Sequence, residues 1–361
     1  MKTIDWDVII LGAGPAGLAL ATRLSPKKVL LLERQLESLT DMRIGESLPG
    51  AAKTLLQRLG VFEEFLAGNH LERSATIAIW DKEEPVWQDS LRDPSGPGWL
   101  LDRRQFEHML KSAAIRSGAK IHYGYRDIQL TRHSEYWSIF AYNVSHSAPV
   151  IVDASGRSAY LARHLGLTHR KLDSQVCLHA FFNSQTQDEN TCTRVLADQN
   201  GWWYSVRLAN GNQVLAYHLD AKHPDRLQLQ QSDAFLNRAR THVFLAEIVD
   251  QVKAVEVHTR PAGTAILDIG NLENAGSGFL AIGDAAITFD PISSQGLFNA
   301  LASAECAYKA INADFRNNSY ALQEFKHELL AVTSHYLAKL RHTYMGPERF
   351  AMEPFWNERR H

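Results

Sequence analysis

The chain has 361 residues, with 38 Lys and Arg against 40 Asp and Glu and a formal net charge of −2. That balance gives no electrostatic case for nucleic acid or an anionic membrane, the length suits two lobes with a substantial core, and no run of ~18 apolar residues marks a transmembrane helix. Cys177, Cys192 and Cys306 have no CxxC spacing and the histidines fall in no metal-ligand spacing, which excludes a zinc ribbon or a disulfide framework as the organising device.

The N-terminus leads almost directly into the first strand, so no secretory signal is expected and the expected compartment is the cytoplasm. Val8-Ile9-Ile10-Leu11 is a continuous apolar run, as in a strand covered on both faces. Gly12-Ala13-Gly14-Pro15-Ala16-Gly17 follows, then a helical stretch Leu18–Leu24 and a second buried strand Val29–Leu32. Gly12 permits the tight turn, Gly14 lets backbone approach a pyrophosphate, and Gly17 lets the helix pack on the strand. The helix N-terminus offers free N–H groups and a positive dipole to phosphates. Glu33, 21 residues after Gly12, stands where an acid accepts hydrogen bonds from an adenosine ribose.

A polar linker, 35–42, leads to Arg43-Ile44-Gly45-Glu46-Ser47-Leu48-Pro49-Gly50, a loop by its Gly and Pro punctuation. It opens an amphipathic helix, 51–59, that ends at Gly60. Its backbone either caps that helix or addresses an anion. Ser74–Trp80 reads as a strand and 81–98 as a loop containing Trp87. Asp102 is the predicted N-cap of a helix that buries Phe106, Met109 and Leu110. Arg103 in its first turn goes against the helix dipole, which fits either an anionic partner or a solvated cation.

Ala119–Tyr123 and Trp137–Phe140 read as strands. The apolar run Val150–Val152 ends in Asp153-Ala154-Ser155-Gly156-Arg157, which returns the chain to a nucleotide-binding sheet. From Gln175 to Arg260 strand-like stretches predominate: 176–182, 202–208, 214–219 and 255–260. They alternate as one face of an open sheet does, with one helical interruption at 232–249. Trp202, Trp203 and Tyr204 stand together there, as aromatic packing or as a substrate wall. Phe279–Ile282 then runs into Gly283-Asp284, and Asp290-Pro291 leads to Gly296-Leu297 at a predicted helix start. Asp284 suits a ribityl hydroxyl, and the Gly296 and Leu297 N–H groups suit negative charge on a reduced flavin. The tail from Tyr320 reads as helical and then basic and aromatic, a packing extension or a partner surface.

The GAGPAG motif with Glu33, the Asp153–Arg157 turn, and Gly283-Asp284 with Pro291 and Gly296 together resemble the FAD-dependent monooxygenases of the para-hydroxybenzoate hydroxylase fold. The fold this implies is α/β: a Rossmann-type, glutathione-reductase-2-like FAD-binding domain with an inserted, mainly antiparallel substrate sheet and a C-terminal helical tail. The expected division gives 1–73, 101–172 and 261–312 to the FAD-binding domain. Residues 74–100 and 173–260 go to the substrate domain, and 313–361 to the tail. Gly45–Pro49, Leu101–Phe106 and Gly201–Tyr204 resemble the branch that holds tryptophan halogenases and the flavoproteins of the LodB/GoxB type, which mature cysteine tryptophylquinone oxidases.

This resemblance implies FAD as cofactor, held by Gly12, Gly14, Pro15, Ala16, Gly17, Glu33, Arg34, Arg43, Ser47, Arg103, Asp284, Pro291, Gly296 and Leu297. It implies a glycine- or lysine-oxidase precursor as the protein partner and one of its tryptophans as the hydroxylation target, with neither nucleic acid nor membrane as partner. Halogenases of this branch need a WxWxIP motif and a lysine on the strand after the Gly-Glu loop, and neither occurs here, since no lysine lies between Lys53 and Lys82. A flavin-bearing maturation chaperone and a small-molecule aromatic hydroxylase are the other readings. No residue is assigned as catalytic base; Glu46 and Asp290 stand near the flavin by motif position. With no second Rossmann fingerprint, reducing equivalents come either from NAD(P)H bound transiently or from flavin reduced elsewhere.

Overall fold

The computed structural model describes residues 4–37, 44, 47–183 and 191–360. Its centre is a five-stranded parallel sheet in the order Phe279–Ala281, Val150–Asp153, Val8–Leu11, Val29–Leu32, Lys120–His122. The four apolar runs are buried at every position, because helices cover both faces. Pro15–Arg23 packs between Gly296–Asn312 and Arg103–Arg116, so helices from three distant stretches of chain close over the first motif.

The second layer is a seven-stranded sheet in the order His258–Pro261, Gln175–Asn183, Asn212–Asp220, Gly201–Arg207, Thr193–Asp198, Ala75–Ile79, Val86–Asp89. All its pairs are antiparallel except Thr193–Asp198 with Ala75–Ile79. The alternation in these strands predicts one solvated face. The centre of the sheet instead is buried on both sides, with Gln213–Leu219 covered throughout. One face packs under Ser232–Arg240 and Val243–Val249 through Trp203, Leu215, Tyr217 and Phe235. The other turns toward the nucleotide-binding layer, where Cys177, Tyr204 and Ala216 meet Ala262 and Ile44.

Several local expectations change. The 232–249 stretch breaks at Thr241 and His242 into two helices, and the strand predicted from Val255 begins at His258. The Asp- and Pro-rich 81–98 loop contains the edge strand Val86–Asp89, whose Val-Trp pair is hidden among turn-forming neighbours. Within the 43–50 loop, Ser47–Leu48 pairs with Trp99–Leu100. Gln129–Arg132 and Val144–Ala148, unmarked in the sequence, flank Trp137–Ala141 in a three-stranded meander. The tail is a 27-residue helix, Ser319–Met345, followed by a short segment that buries Phe355 and Trp356 against Trp80 and Trp202. Among the described residues no helix is long and apolar enough to cross a membrane.

Candidate functional site

The first motif has the geometry a nucleotide cradle requires. Gly12 has φ +108°, a region that L side chains avoid, and a Cβ there would fall 2.2 Å from the Ala154 carbonyl oxygen. A Cβ on Gly17 would fall 2.1 Å from the Gly12 carbonyl oxygen, so helix and loop touch only because both are bare. At Gly14 an added Cβ meets nothing within 4 Å: the loop opens there onto the space before the helix. Pro15 occupies the first turn, no side chain caps it, and its N–H groups face that opening. Glu33 ends the second strand. Its Oε2 accepts from Ala13 N and its Oε1 from Gln35 N, both at 2.8 Å, so the carboxylate binds the glycine loop to the segment behind it while keeping lone pairs for a hydroxyl. Arg34 is exposed beside it. Arg43 and Glu46 lie outside the described residues.

The second motif is a buried turn. Asp153 Oδ1 accepts from the Ser155 amide at 3.0 Å and its Oγ at 2.6 Å, and Oδ2 accepts from Ala162 N at 2.9 Å. This shapes the turn that throws Arg157 across to the third motif. The guanidinium donates to Gly263 O at 2.7 Å and Phe289 O at 3.3 Å, and its Nε lies 3.6 Å from Asp284 Oδ2. Burial raises the pKa of Asp284, and the charges of Arg157 and Arg103 oppose the rise. Arg103 arrives from the first turn of its helix, which Asp102 caps as predicted, accepting from Gln105 N at 3.0 Å. It pairs with Glu107 and donates to Ile44 O at 3.0 Å. Arg103, Arg157 and Asp284, far apart in sequence, thus share one electrostatic neighbourhood. Ser47 Oγ accepts from Arg73 at 3.4 Å nearby.

The third motif meets the first where a Cβ on Gly283 would lie 2.9 Å from Ala16 Cβ. Beyond it, Asp290 caps the single turn Pro291–Ser293 by accepting from Ile292 N at 3.0 Å. Ser294 follows at φ +51°, and Gly296–Asn312 begins with no side-chain cap and with open space beside Gly296. Those first N–H groups form a second exposed helix dipole end. Asp290 is buried. It accepts from Tyr344 Oη at 2.7 Å and Gln175 Nε2 at 3.2 Å, while its own N–H donates to Tyr336 Oη at 2.7 Å. Burial pushes its carboxyl up to about 6. With every contact spent on holding the loop, Asp290 is a positioning residue.

The aromatic triplet divides. Side chains alternate along Gly201–Arg207, so Trp202 and Tyr204 share the face toward the nucleotide layer and Trp203 points the other way. Trp203 is fully buried, stacked on Tyr217 at 4.3 Å and donating to Asp198 at 3.3 Å under the helices, so it cannot line a substrate wall. Trp202 stacks on His218 at 3.7 Å and donates to Tyr344 Oη at 3.3 Å. Tyr204 alone of the three keeps partial exposure.

The same face carries buried histidines that sequence reasoning passed over. His179 and His218 are 1% and 2% exposed. Burial lowers both, His179 to about 4 with help from His258 and Arg260, and His218 to about 3. Both are therefore neutral acceptors near neutral pH. Scattered through the sequence they carry no spacing signal; only strand register brings them together.

The family model for an FAD-binding domain matches residues 5–332. LodB of Marinomonas mediterranea, described as an FAD-dependent oxidoreductase, is 25% identical over 99% of this chain and 97% of its own. The myxobacterial chondrochloren halogenase CndH superposes with TM-score 0.85 at 21% identity, covering 99% of this chain and 86% of that one. The peptidyl tryptophan dihydroxylase QhpG, essential for tryptophylquinone cofactor biogenesis, superposes with TM-score 0.78 at 22% identity, covering 98% and 78%.

Proposed function

The chain belongs to the FAD-binding domain family and is a flavin-dependent oxidoreductase of the monooxygenase type, and on that footing we propose that it hydroxylates a tryptophan of a partner polypeptide, the precursor of a cysteine tryptophylquinone oxidase of the glycine or lysine oxidase type. The observation that carries the reading is the end-to-end likeness to LodB, with 99% and 97% of the two chains in register. The fold likeness to QhpG points to the same chemistry.

The cradle accommodates FAD: open space beside Gly14 and Gly296 lies at two uncapped helix ends, Glu33 holds the glycine loop, and Arg103 acts on Asp284. Gly12, Gly14, Pro15, Ala16, Gly17, Glu33 and Arg34 would hold its adenosine and pyrophosphate. Ser47, Arg103 and Asp284 would hold the ribityl stretch, and Pro291, Gly296 and Leu297 the ring end. When bound, FAD supplies the electrons that activate O2. The chain's own part is to position the indole against the sheet face that bears Tyr204 and to exclude water.

Halogenation is the second reading, favoured by the superposition on CndH. Against it, the strand Ala75–Ile79 reads Ala-Thr-Ile-Ala-Ile and offers no amine. Mass spectrometry of a quinone-oxidase precursor co-expressed with and without this chain separates the readings. One or two oxygen atoms gained on a single tryptophan support hydroxylation. A gain of chlorine or bromine, or an unchanged precursor, overturns it.

A further inference from the structure

We propose that His179 accepts the proton released when the indole ring is oxygenated, and that His258 passes it to solvent. The proposal rests on the hydroxylase reading above.

Tyr204 pairs with Ala216, Ala216 with His179, and His179 with His258, so four adjacent strands set these side chains in one row. The row lies on the face turned to the nucleotide layer, where Ala216 and Tyr204 meet Ala262 and Ile44. His179 Nδ1 is buried with no hydrogen-bond partner among the described residues. A buried polar atom left so carries a desolvation cost that a hydrogen-bonding group arriving at that face would relieve. Ala216 contributes only a methyl between Tyr204 and His179, and Ala262 and Ile44 pack on it. At the other end the His258 ring stands 5.6 Å from that of His179, and its side chain is 42% exposed. Two rings thus span the distance from buried face to solvent, a gap that one bridging water closes for proton transfer. His218, in the next row, is stacked on Trp202 and has no such exit.

Hydroxylation converts a ring C–H, O2, two electrons and two protons into C–OH and water. One C–O bond forms, the O–O and C–H bonds break, reduced flavin supplies the electrons, and the ring proton leaves. The proton on an oxygenated cationic ring is far more acidic than an imidazolium, so a neutral histidine of low basicity suffices. The groups that face His179 are His258 and Arg260 from the neighbouring strand and, through charge, His218 from the other.

The test uses flavin-loaded full-length enzyme and a precursor that the wild type hydroxylates, scored as hydroxylated tryptophan per flavin oxidised. His179→Ala should lower this yield about 100-fold, the ordinary size of a lost proton acceptor, with flavin oxidation continuing and peroxide released. Added imidazole should restore a good part of it, which repair of packing alone would not do. His258→Ala, at a half-buried position, should lower the yield about tenfold and enlarge the solvent isotope effect. Wild-type yield in both variants, or a loss in His179→Ala that imidazole leaves untouched while His258→Ala is normal, overturns the proposal alone. A wild type that hydroxylates no tryptophan overturns the hydroxylase reading, and this proposal with it.

Discussion

Tyr344 Oη donates to Asp290 Oδ2 across 2.7 Å, tying the end of the long C-terminal helix to the residue that caps the loop before Gly296. The same hydroxyl lies 3.0 Å from Gln175 Oε1 and accepts from Trp202 Nε1 at 3.3 Å. One phenol therefore holds three segments in place: the loop, the strand Gln175–Asn183 and the aromatic strand. Tyr344→Phe removes it while keeping the ring. A buried carboxylate and an indole N–H then lose a partner, and stability should fall by about 1–3 kcal/mol, read as a lower urea midpoint at unchanged slope.

Asp290 makes the same network sensitive to pH. Burial raises its carboxyl to about 6 from 3.8, with Tyr344 and the Ile292 N–H opposing the rise. The native state therefore holds this proton more tightly than the unfolded chain, and ionising it costs stability above about pH 6. That cost fades as pH falls toward about 4, for a total of about 3 kcal/mol. Asp290→Asn has no such titration. Relative to the variant, the wild type should gain up to about 3 kcal/mol between roughly pH 7 and roughly pH 4. A difference in urea midpoints that stays constant with pH would contradict this.

Asp198 behaves in the opposite way. It is 1% exposed, and burial alone would raise its carboxyl. His242 at 2.8 Å, the Arg238 guanidinium and the Asn200 N–H outweigh burial and hold it well below the usual range. Tyr217 Oη donates at 3.1 Å and Trp203 Nε1 at 3.3 Å. Asp198→Ala leaves the buried Tyr217 hydroxyl and Trp203 indole N–H without their acceptor and should cost about 1–3 kcal/mol for each, seen as a large fall in melting temperature. Its folded pKa being depressed, the wild-type contribution is present above about pH 4 and declines as acid protonates the carboxylate.

The glycines of the first motif should separate folding from flavin binding. Gly12→Ala places a methyl 2.2 Å from the Ala154 oxygen at φ +108° and should prevent a stable fold. Gly14→Val adds its side chain to open space. The protein should purify folded but colourless, with far-UV circular dichroism like the wild type and no flavin absorbance. Retained flavin in Gly14→Val would remove the cradle from its assigned place.

Arg157 joins the second motif to the third through Gly263, Phe289 and Asp284. Arg157→Ala leaves two carbonyls without a charged donor and relieves the opposition to protonation of Asp284. FAD affinity should fall about 10- to 100-fold, equivalent to losing one or two charge-assisted hydrogen bonds, as measured by titrating apoprotein with FAD.

The parallel layer was legible in the sequence because burial on both faces leaves an unbroken apolar run, and Val8–Leu11, Val29–Leu32 and Val150–Val152 each show one. The Asp102 cap was legible because capping depends on one residue and its next turn. The inserted sheet was less so. Thr193–Asp198 is interrupted by Arg194 and ends in Asp198, whose partners Tyr217, Arg238 and His242 arrive only with the fold, so its local pattern looks like a loop. The Trp202–Tyr204 triplet shows the remaining gap. Adjacency in sequence suggests one wall, whereas a period of two sends Trp203 to the opposite side. Nothing local distinguishes His179 from the other histidines, because its meaning lies in which residue stands across the strand.

The anchoring of Asp290 has an implication for biosynthesis. Both hydroxyls that grip this residue, on Tyr336 and Tyr344, belong to the helix that begins at Ser319. A nascent polypeptide that has emerged only as far as residue 318 already contains every glycine of the proposed cradle, yet lacks the clasp that shapes the Pro291–Gly296 stretch. If that stretch holds the flavin ring as proposed, loading of the cofactor should wait until Tyr344 has emerged, and a ribosome-stalled fragment ending at residue 318 should remain colourless even with FAD in excess.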